Sequence, residues 1–209
     1  YITAHGVYDA YINGIKAGDF ILAPGTSQYD VRLQYQSYDV SSLLRQGKNE
    51  IVVTIGDGWW RGDTGYGGER NSFGTDLGLL CQLEIDKKTV LVSDGSWMAS
   101  QTGPLGHNDL MQGEQYDARK EDICEWHPVT ERKIGYGNLV CSNSFDVVEK
   151  EHFTGKRIDT PNGGLVIDFG QNIAGYTQLR LYAHEGQRIT IYHGECLDQH
   201  GNFTRENFQ

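Results

Sequence analysis

The residues best suited to chemistry lie together in one glycine-rich segment, residues 55–68, with the sequence IGDGWWRGDTGYGG. It places Trp59 and Trp60 beside the carboxylate of Asp63, and Asn71 follows shortly after. A flat aromatic ring can cover the C–H face of a sugar while neighbouring oxygens and amides pair with its hydroxyls. The composition therefore predicts a sugar site containing Trp59, Trp60, Asp63 and Asn71. A packed turn that closes the end of a β-sandwich is the alternative.

The same region carries oxygen ligands of the type that Ca²⁺ prefers, namely those of Asp57, Asp63, Asn71 and Asp76. Their spacing does not follow an EF-hand, because Trp59 stands at the third position counted from Asp57, where that loop needs an oxygen ligand. A calcium site here would draw its ligands from several loops. Calcium is therefore the one cofactor that the sequence brings into consideration.

Two further acidic residues are candidates for catalysis. Asp168 and Glu195 each stand at the end of an apolar run, and a glycosidase needs two carboxylates about 5 to 10 Å apart. The alternative is that both carboxylates cap turns by accepting hydrogen bonds from backbone amides, and we favour it. The four cysteines form no C-x-x-C pair, so their spacing gives no support for a zinc site.

The elements that must position these residues are β-strands, because apolar residues recur with a period of two almost everywhere. Asn13-Gly14 joins two short runs and is a strong hairpin signal, since both residues tolerate a positive φ. Asp86-Lys87-Lys88 separates two further runs and is another turn of hairpin size. One or two helical turns are expected near residues 39–47, with Asp39 as the N-cap. The pattern predicts an all-β chain.

Composition excludes several classes of partner. The chain has 209 residues and a formal net charge of −10, which repels phosphate backbones, so we expect no nucleic-acid partner. No uninterrupted apolar stretch approaches the ~20 residues of a membrane span, so we expect no membrane partner either.

A change in texture near residues 123–138 suggests two domains. Most aromatic residues and the glycine-rich segment precede it, and a new series of strand-like runs follows it at residues 145–150, 164–170, 177–184 and 187–195. We place the boundary between residues 127 and 128. The second region is short and lacks an obvious closing strand, so we expect an antiparallel jelly-roll or β-sandwich followed by a second, incomplete β-sandwich. Unpaired strand edges in the second region would favour self-association.

Several motifs together resemble the bacterial α-L-rhamnosidases of glycoside hydrolase family 78. They are GDGWW (56–60), GEQYDAR (113–119), and DFGQNIAGY (168–176) followed by HGE (193–195). Weaker matches at YINGIKAGD (11–19) and YDVSSLL (38–44) occur in the same order. The resemblance covers nearly the whole chain. It implies an N-terminal jelly-roll domain over residues 1–127 and the start of a concanavalin-like β-sandwich over residues 128–209.

The resemblance also implies what the chain does. In that family the catalytic acid and base lie in a downstream (α/α)₆ barrel, and the motifs of that barrel do not occur here. The chain alone is therefore expected to contain no catalytic residues and to be inactive. Asp19 and Asn71 fall in regions where the family's sugar-binding module holds calcium. The expected partners are rhamnose-containing glycans or glycosides and the missing catalytic domain. A stand-alone lectin-like module is the alternative.

Overall fold

The computed structural model describes residues 1–64 and 67–206, and the chain forms two compact units, Tyr1–Glu149 and Lys150–Gln209. Helical structure is confined to short turns. Among the described residues, no helix has the length and apolar character that a membrane crossing needs.

In its described residues, the first unit contains twelve strands and three short helical turns. The strands are β1 (Ile2–His5), β2 (Val7–Ile12), β3 (Ile15–Lys16), β4 (Leu33–Tyr35), β5 (Ile51–Gly56), β6 (Gly78–Ile85), β7 (Lys88–Val92), β8 (Met98–Ala99), β9 (Leu105–Asp109), β10 (Gly113–Tyr116), β11 (His127–Pro128) and β12 (Leu139–Cys141). The one α-helical turn, α1, spans Gly58–Arg61, and 3₁₀ turns span Ser41–Leu43 and Ala118–Lys120.

Two three-stranded antiparallel sheets form the body of this unit, one in the order β3-β2-β5 and the other in the order β1-β6-β7. Strands β9 and β10 pair with each other, as do β8 and β11, also in antiparallel fashion. Strand β12 runs parallel to β4. The sequence prediction of an all-β fold is confirmed.

The hydrophobic core collects buried side chains from both three-stranded sheets and from the segment between β3 and β4. They include Ile2, Ala4, Tyr8, Ala10, Phe20, Ala23 and Cys81. Cys81 is a free, buried thiol, as its apolar surroundings in the sequence predict. The Tyr8 hydroxyl donates a 2.8 Å hydrogen bond to Oε1 of the buried Gln36, so the polar end of this core tyrosine is satisfied.

The hairpin predictions hold in detail. Strands β2 and β3 pair through Ile12 and Ile15, and the two intervening residues have φ values of 52° at Asn13 and 82° at Gly14. Asp86 and Lys87 likewise take positive φ values between β6 and β7. The short turn after Asp39 is also present, as a 3₁₀ turn over Ser41–Leu43. Its N-cap is Val40 and not Asp39 as predicted, although the Ser41 amide donates to the Asp39 carboxylate at 3.0 Å.

The first unit continues past residue 127, because β12 joins β4 and the Ile21 amide donates to the Val147 carbonyl. The boundary predicted at residues 127 and 128 thus lies inside this unit.

The second unit contains β13 (Lys156–Asp159) and β14 (Leu165–Asp168), which form one antiparallel hairpin. In the described structure the runs at residues 177–184 and 187–195 are not in strands, although their alternation predicts strands. Alternation marks a side-chain pattern, whereas a strand also needs a neighbour for its backbone hydrogen bonds.

Candidate binding site at the tryptophan loop

The tryptophan loop, residues 57–76, begins where β5 ends. Gly58 has a φ of 53°, and a Cβ placed there would lie 2.6 Å from Cγ1 of Val7, so only glycine fits this turn. The chain then forms the single helical turn α1, closed by a 3.1 Å bond from the Gly62 amide to the Gly58 carbonyl. Trp59 and Trp60 therefore project from a helical turn, and the alternating arrangement expected of a continued strand does not occur.

Trp60 is packed among other aromatic rings. Its indole stacks on the His5 ring with centroids 3.7 Å apart and planes 8° from parallel. Tyr29 meets it edge-on at 5.6 Å, and Phe73 lies at 6.3 Å. The indole N–H donates a 2.9 Å bond to the Asp76 carbonyl. One face and the polar edge of Trp60 are thus occupied by the protein itself, as the packing alternative requires.

An ion-pair network holds the loop against β9. Arg70 donates to Oδ2 of Asp57 at 2.6 Å and to Oδ2 of Asp109 at 2.5 Å. Asp57 also accepts a 2.6 Å bond from Nε of Arg61, one helical turn later. The side chain of Asp109 is fully buried and that of Asp57 nearly so, whereas Arg70 is about one-third exposed. These carboxylates are used to fasten the loop.

Asp109 is held in its ionised form. Burial alone would raise the pKa of this carboxyl, but bonds from the amides of Asp63, Gln112 and Met111, together with the charge of Arg70, lower it to about 2. The four bonded donors all favour the carboxylate. The side chain therefore stays charged across the physiological range.

Asp63 and Trp59, two members of the predicted site, keep some free capacity. The Asp63 amide donates to Asp109, and Oδ2 of Asp63 accepts a 3.3 Å bond from Gln112. Its other oxygen, Oδ1, is buried and has no hydrogen-bond partner among the described residues. Trp59 is half-buried, and among the described aromatic pairs it takes part in no ring stack.

The predicted oxygen ligands lie in different surroundings. Asn71 is exposed with a left-handed φ of 62°, and its backbone amide donates to the Arg61 carbonyl. The Asp76 carboxylate pairs with Arg132. Asp19 is exposed, and its charge helps to raise the pKa of Tyr38, where burial is the main cause. Within residues 1–64 and 67–206, no three His, Cys, Asp or Glu side chains are grouped to hold a metal ion.

The two carboxylates weighed for catalysis are both exposed. Oδ1 of Asp168 accepts a 2.8 Å bond from the Gly170 amide, so this side chain caps the turn after β14. For Asp168 this matches the interpretation that the sequence favours.

Sequence reasoning did not find His5, Tyr29 or Asp109 as parts of this site. They come from segments up to about a hundred residues apart, and no local spacing marks them. Identifying them would have required knowing which distant segments pack against the loop.

Comparison with known proteins gives a consistent result. Residues 1–150 match the family model described as the alpha-L-rhamnosidase N-terminal domain, and residues 158–209 match the bacterial alpha-L-rhamnosidase concanavalin-like domain. An alpha-L-rhamnosidase of Streptomyces avermitilis is 32% identical over 226 residues, which is 100% of this chain and 22% of that protein. One from Formosa agariphila is 30% identical over 230 residues, again 100% of this chain and 24% of that protein.

Solved structures agree. The native alfa-L-rhamnosidase of Aspergillus terreus is 37% identical with a TM-score of 0.74, over 82% of this chain and 22% of that one. The Streptomyces avermitilis alpha-L-rhamnosidase complexed with L-rhamnose is 31% identical with a TM-score of 0.71, over 82% of this chain and 18% of that one. The chain spans less than a quarter of the length of the relatives it matches. It belongs to the family of α-L-rhamnosidase N-terminal domains, joined to part of the concanavalin-like domain.

Proposed function

We propose that this chain is the non-catalytic N-terminal part of an enzyme that hydrolyses terminal α-L-rhamnose from glycosides. The alignment of the whole chain with a minor part of several α-L-rhamnosidases supports this assignment. The chemistry would then belong to the larger, remaining part of the enzyme, and the present region would act on the substrate only by binding or by supporting that part.

We assign the region a scaffold role. The observation that carries this assignment is the internal use of the loop's polar and aromatic groups. Arg70 donates hydrogen bonds to two carboxylates, those of Asp57 and Asp109, and His5 stacks on one face of Trp60. A sugar site keeps such groups free for the hydroxyls and C–H face of its ligand.

The activity part of this proposal is tested with an aryl α-L-rhamnoside. We expect turnover by the full-length parent protein and none by the 209-residue chain. The variants Asp168→Asn and Glu195→Gln of the chain serve as a check on any residual signal. Turnover by the isolated chain that disappears in either variant would overturn the proposal, because it would place catalytic carboxylates in this region.

A weak sugar site at Trp59 is the second candidate function. Oδ1 of Asp63, which is buried with no partner in the described part of the chain, favours it, because a buried carboxylate oxygen without a donor is costly unless a ligand supplies one. A sugar hydroxyl could provide that donor. Alternatively, the same oxygen could coordinate a calcium ion that also binds the sugar. A single monosaccharide on an open surface would bind at roughly millimolar affinity, about −4 kcal/mol.

Calorimetric titration of the chain with L-rhamnose, with and without EDTA, separates the two roles. The matched variants are Trp59→Ala and Trp60→Ala, neighbours on one helical turn with different packing. The scaffold role predicts no heat of binding in any protein. Binding that is lost in Trp59→Ala while folding is kept would establish the sugar site, and loss of that binding in EDTA would assign calcium to it.

A further inference from the structure

A second concave surface lies away from the tryptophan loop, at the mouth of the sandwich between β5 and β7. This groove has a volume of about 610 Å³. Five of its lining residues are large, apolar and exposed, from 39% for Val52 to 53% for Val90. They are Val52, Ile85, Val90, Met98 and Trp126. Gathered apolar side chains of this kind mark a surface that is covered in the working protein.

The backbone around the groove is open as well. Among the strands that the structure describes, β5 pairs only with β2, and β7 only with β6. Both strands are therefore sheet edges, and each presents unpaired backbone groups beside the apolar walls. Edges of this kind are normally paired or covered.

Two polar side chains of the groove, Asn49 and Ser96, are already hydrogen-bonded within the chain. The Asn49 amide group donates to the carbonyls of Arg45 and Gly47, and its oxygen accepts from Asn13 and from the Arg45 amide. The Ser96 hydroxyl donates to Asp94. A sugar needs several free donors and acceptors beside an aromatic plane. The groove instead offers apolar area, which suits a protein surface.

We infer that this groove is the docking surface for the downstream part of the same polypeptide, outside residues 1–209. The inference deepens the proposed scaffold role and rests on it. The relatives that align with the entire chain are more than four times its length, so most of the parent polypeptide remains to be packed. An apolar segment of that region would bury the five side chains and shield the edges of β5 and β7.

The first test compares hydrogen exchange in the 209-residue chain and in the full-length parent, by mass spectrometry of the same peptides. We expect the amides of β5 and β7 to exchange at least about tenfold more slowly in the parent. Peptides around residues 28–32, which do not line the groove, are the internal control and should exchange alike. Equal exchange of β5 and β7 in both proteins would overturn the inference. So would protection of these strands in the isolated chain by added L-rhamnose, because the groove would then be a sugar site.

The second test uses charge substitution. Val90→Glu puts a carboxylate on the groove wall, and Val31→Glu is its control, since Val31 is 72% exposed in the same unit and does not line the groove. We expect Val90→Glu to leave the melting temperature of the isolated chain nearly unchanged and to lower the temperature at which the parent loses structure. Val31→Glu should affect neither. If the isolated Val90→Glu chain does not fold, Trp126→Ser replaces it.

An equal effect of the groove variant in both proteins would contradict the docking inference. Rhamnoside hydrolysis by the parent is measured in parallel. A parent that lacks this activity but still protects the groove would refute the proposed enzyme while leaving the docking surface intact, so the two failures are distinguishable.

Discussion

Arg70 is the residue on which the geometry of the tryptophan loop depends most directly. It joins Asp57, at the start of the loop, to Asp109, at the end of β9. Removing one partner of a buried ion pair leaves an uncompensated charge. Because Arg70 is partly exposed, we expect Arg70→Ala to lower the free energy of unfolding by about 2 kcal/mol, below the usual range for a fully buried pair. Urea denaturation followed by tryptophan fluorescence measures the change.

The matched control is Arg119→Ala. Arg119 also pairs with an aspartate, Asp117, but its side chain is 90% exposed. Exposed pairs contribute little to stability, so we expect no measurable loss there. Equal losses in the two variants would show that burial of Asp57 and Asp109 does not matter to this network.

The carboxyl of Asp109 gives a prediction for acid stability. Its pKa is about 2 in the folded protein, below the ordinary value of 3.8. The folded state therefore binds the proton less readily than the unfolded chain, and the resulting stability is fully present above pH 3.8 and disappears as the pH falls toward 2. We expect the urea midpoint of the wild type to fall more steeply over this interval than that of Asp109→Asn. Parallel curves would contradict the assignment.

At the scale of elements, the helical turn α1 gives its two tryptophans different roles. Trp60 stacks on His5 and contacts Tyr29, while Trp59 remains half-buried without a ring partner among the described residues. Truncating a packed aromatic side chain costs about 3 kcal/mol, the lower end of the range for core sites because Trp60 is only partly buried. We expect Trp60→Ala to lose that amount and Trp59→Ala less than half of it.

Chemical denaturation of both variants checks this difference, and circular dichroism before denaturant is added checks that each folds. A larger loss of unfolding free energy for Trp59→Ala than for Trp60→Ala would contradict this assignment, because Trp59 would then be the packed residue of α1. Since the two positions are adjacent, differences in helix propensity between them cancel.

At the scale of the whole molecule, the second unit exposes much of its apolar surface. Leu179, Leu181, Ile189 and Ile191 are each more than two-fifths exposed. We expect the 209-residue chain to self-associate with increasing concentration through this unit, because exposed apolar surface and unpaired strand-like segments seek partners. Light scattering coupled to size exclusion measures the mass.

The double variant Leu179→Lys/Leu181→Lys should shift that mass toward the monomer, and Val31→Lys, in the first unit, should not. A monomer at every concentration for the unaltered chain would contradict the prediction. In the full-length parent, the rest of the concanavalin-like domain would cover this surface, and the same double substitution should instead destabilise the fold.

Much of the fold follows from local patterns. Asn13-Gly14 predicts a hairpin because a two-residue turn of this type requires positive φ at both positions, and those residues accept it. The period-two apolar runs predict strands β5, β6 and β7 for a similarly local reason. The motifs around Trp59 and Tyr116 likewise sufficed to identify the family, which the matches to known domains confirm.

The chemistry of the tryptophan loop depended on the tertiary structure. The sequence gives no reason to treat the adjacent Trp59 and Trp60 differently. In the folded chain His5 stacks on Trp60, so Trp60 is a packed residue and Trp59 is the one that remains available. In the sequence, Asp57 is not distinguished from the other carboxylates of the loop. Only in the folded chain does Arg70 bridge it to the buried Asp109. Such contacts join segments tens of residues apart, and their energies depend on burial and angle. Local spacing carries no information about either, so the sequence alone determined an all-β rhamnosidase domain, and the folded chain decided which side chains remain free.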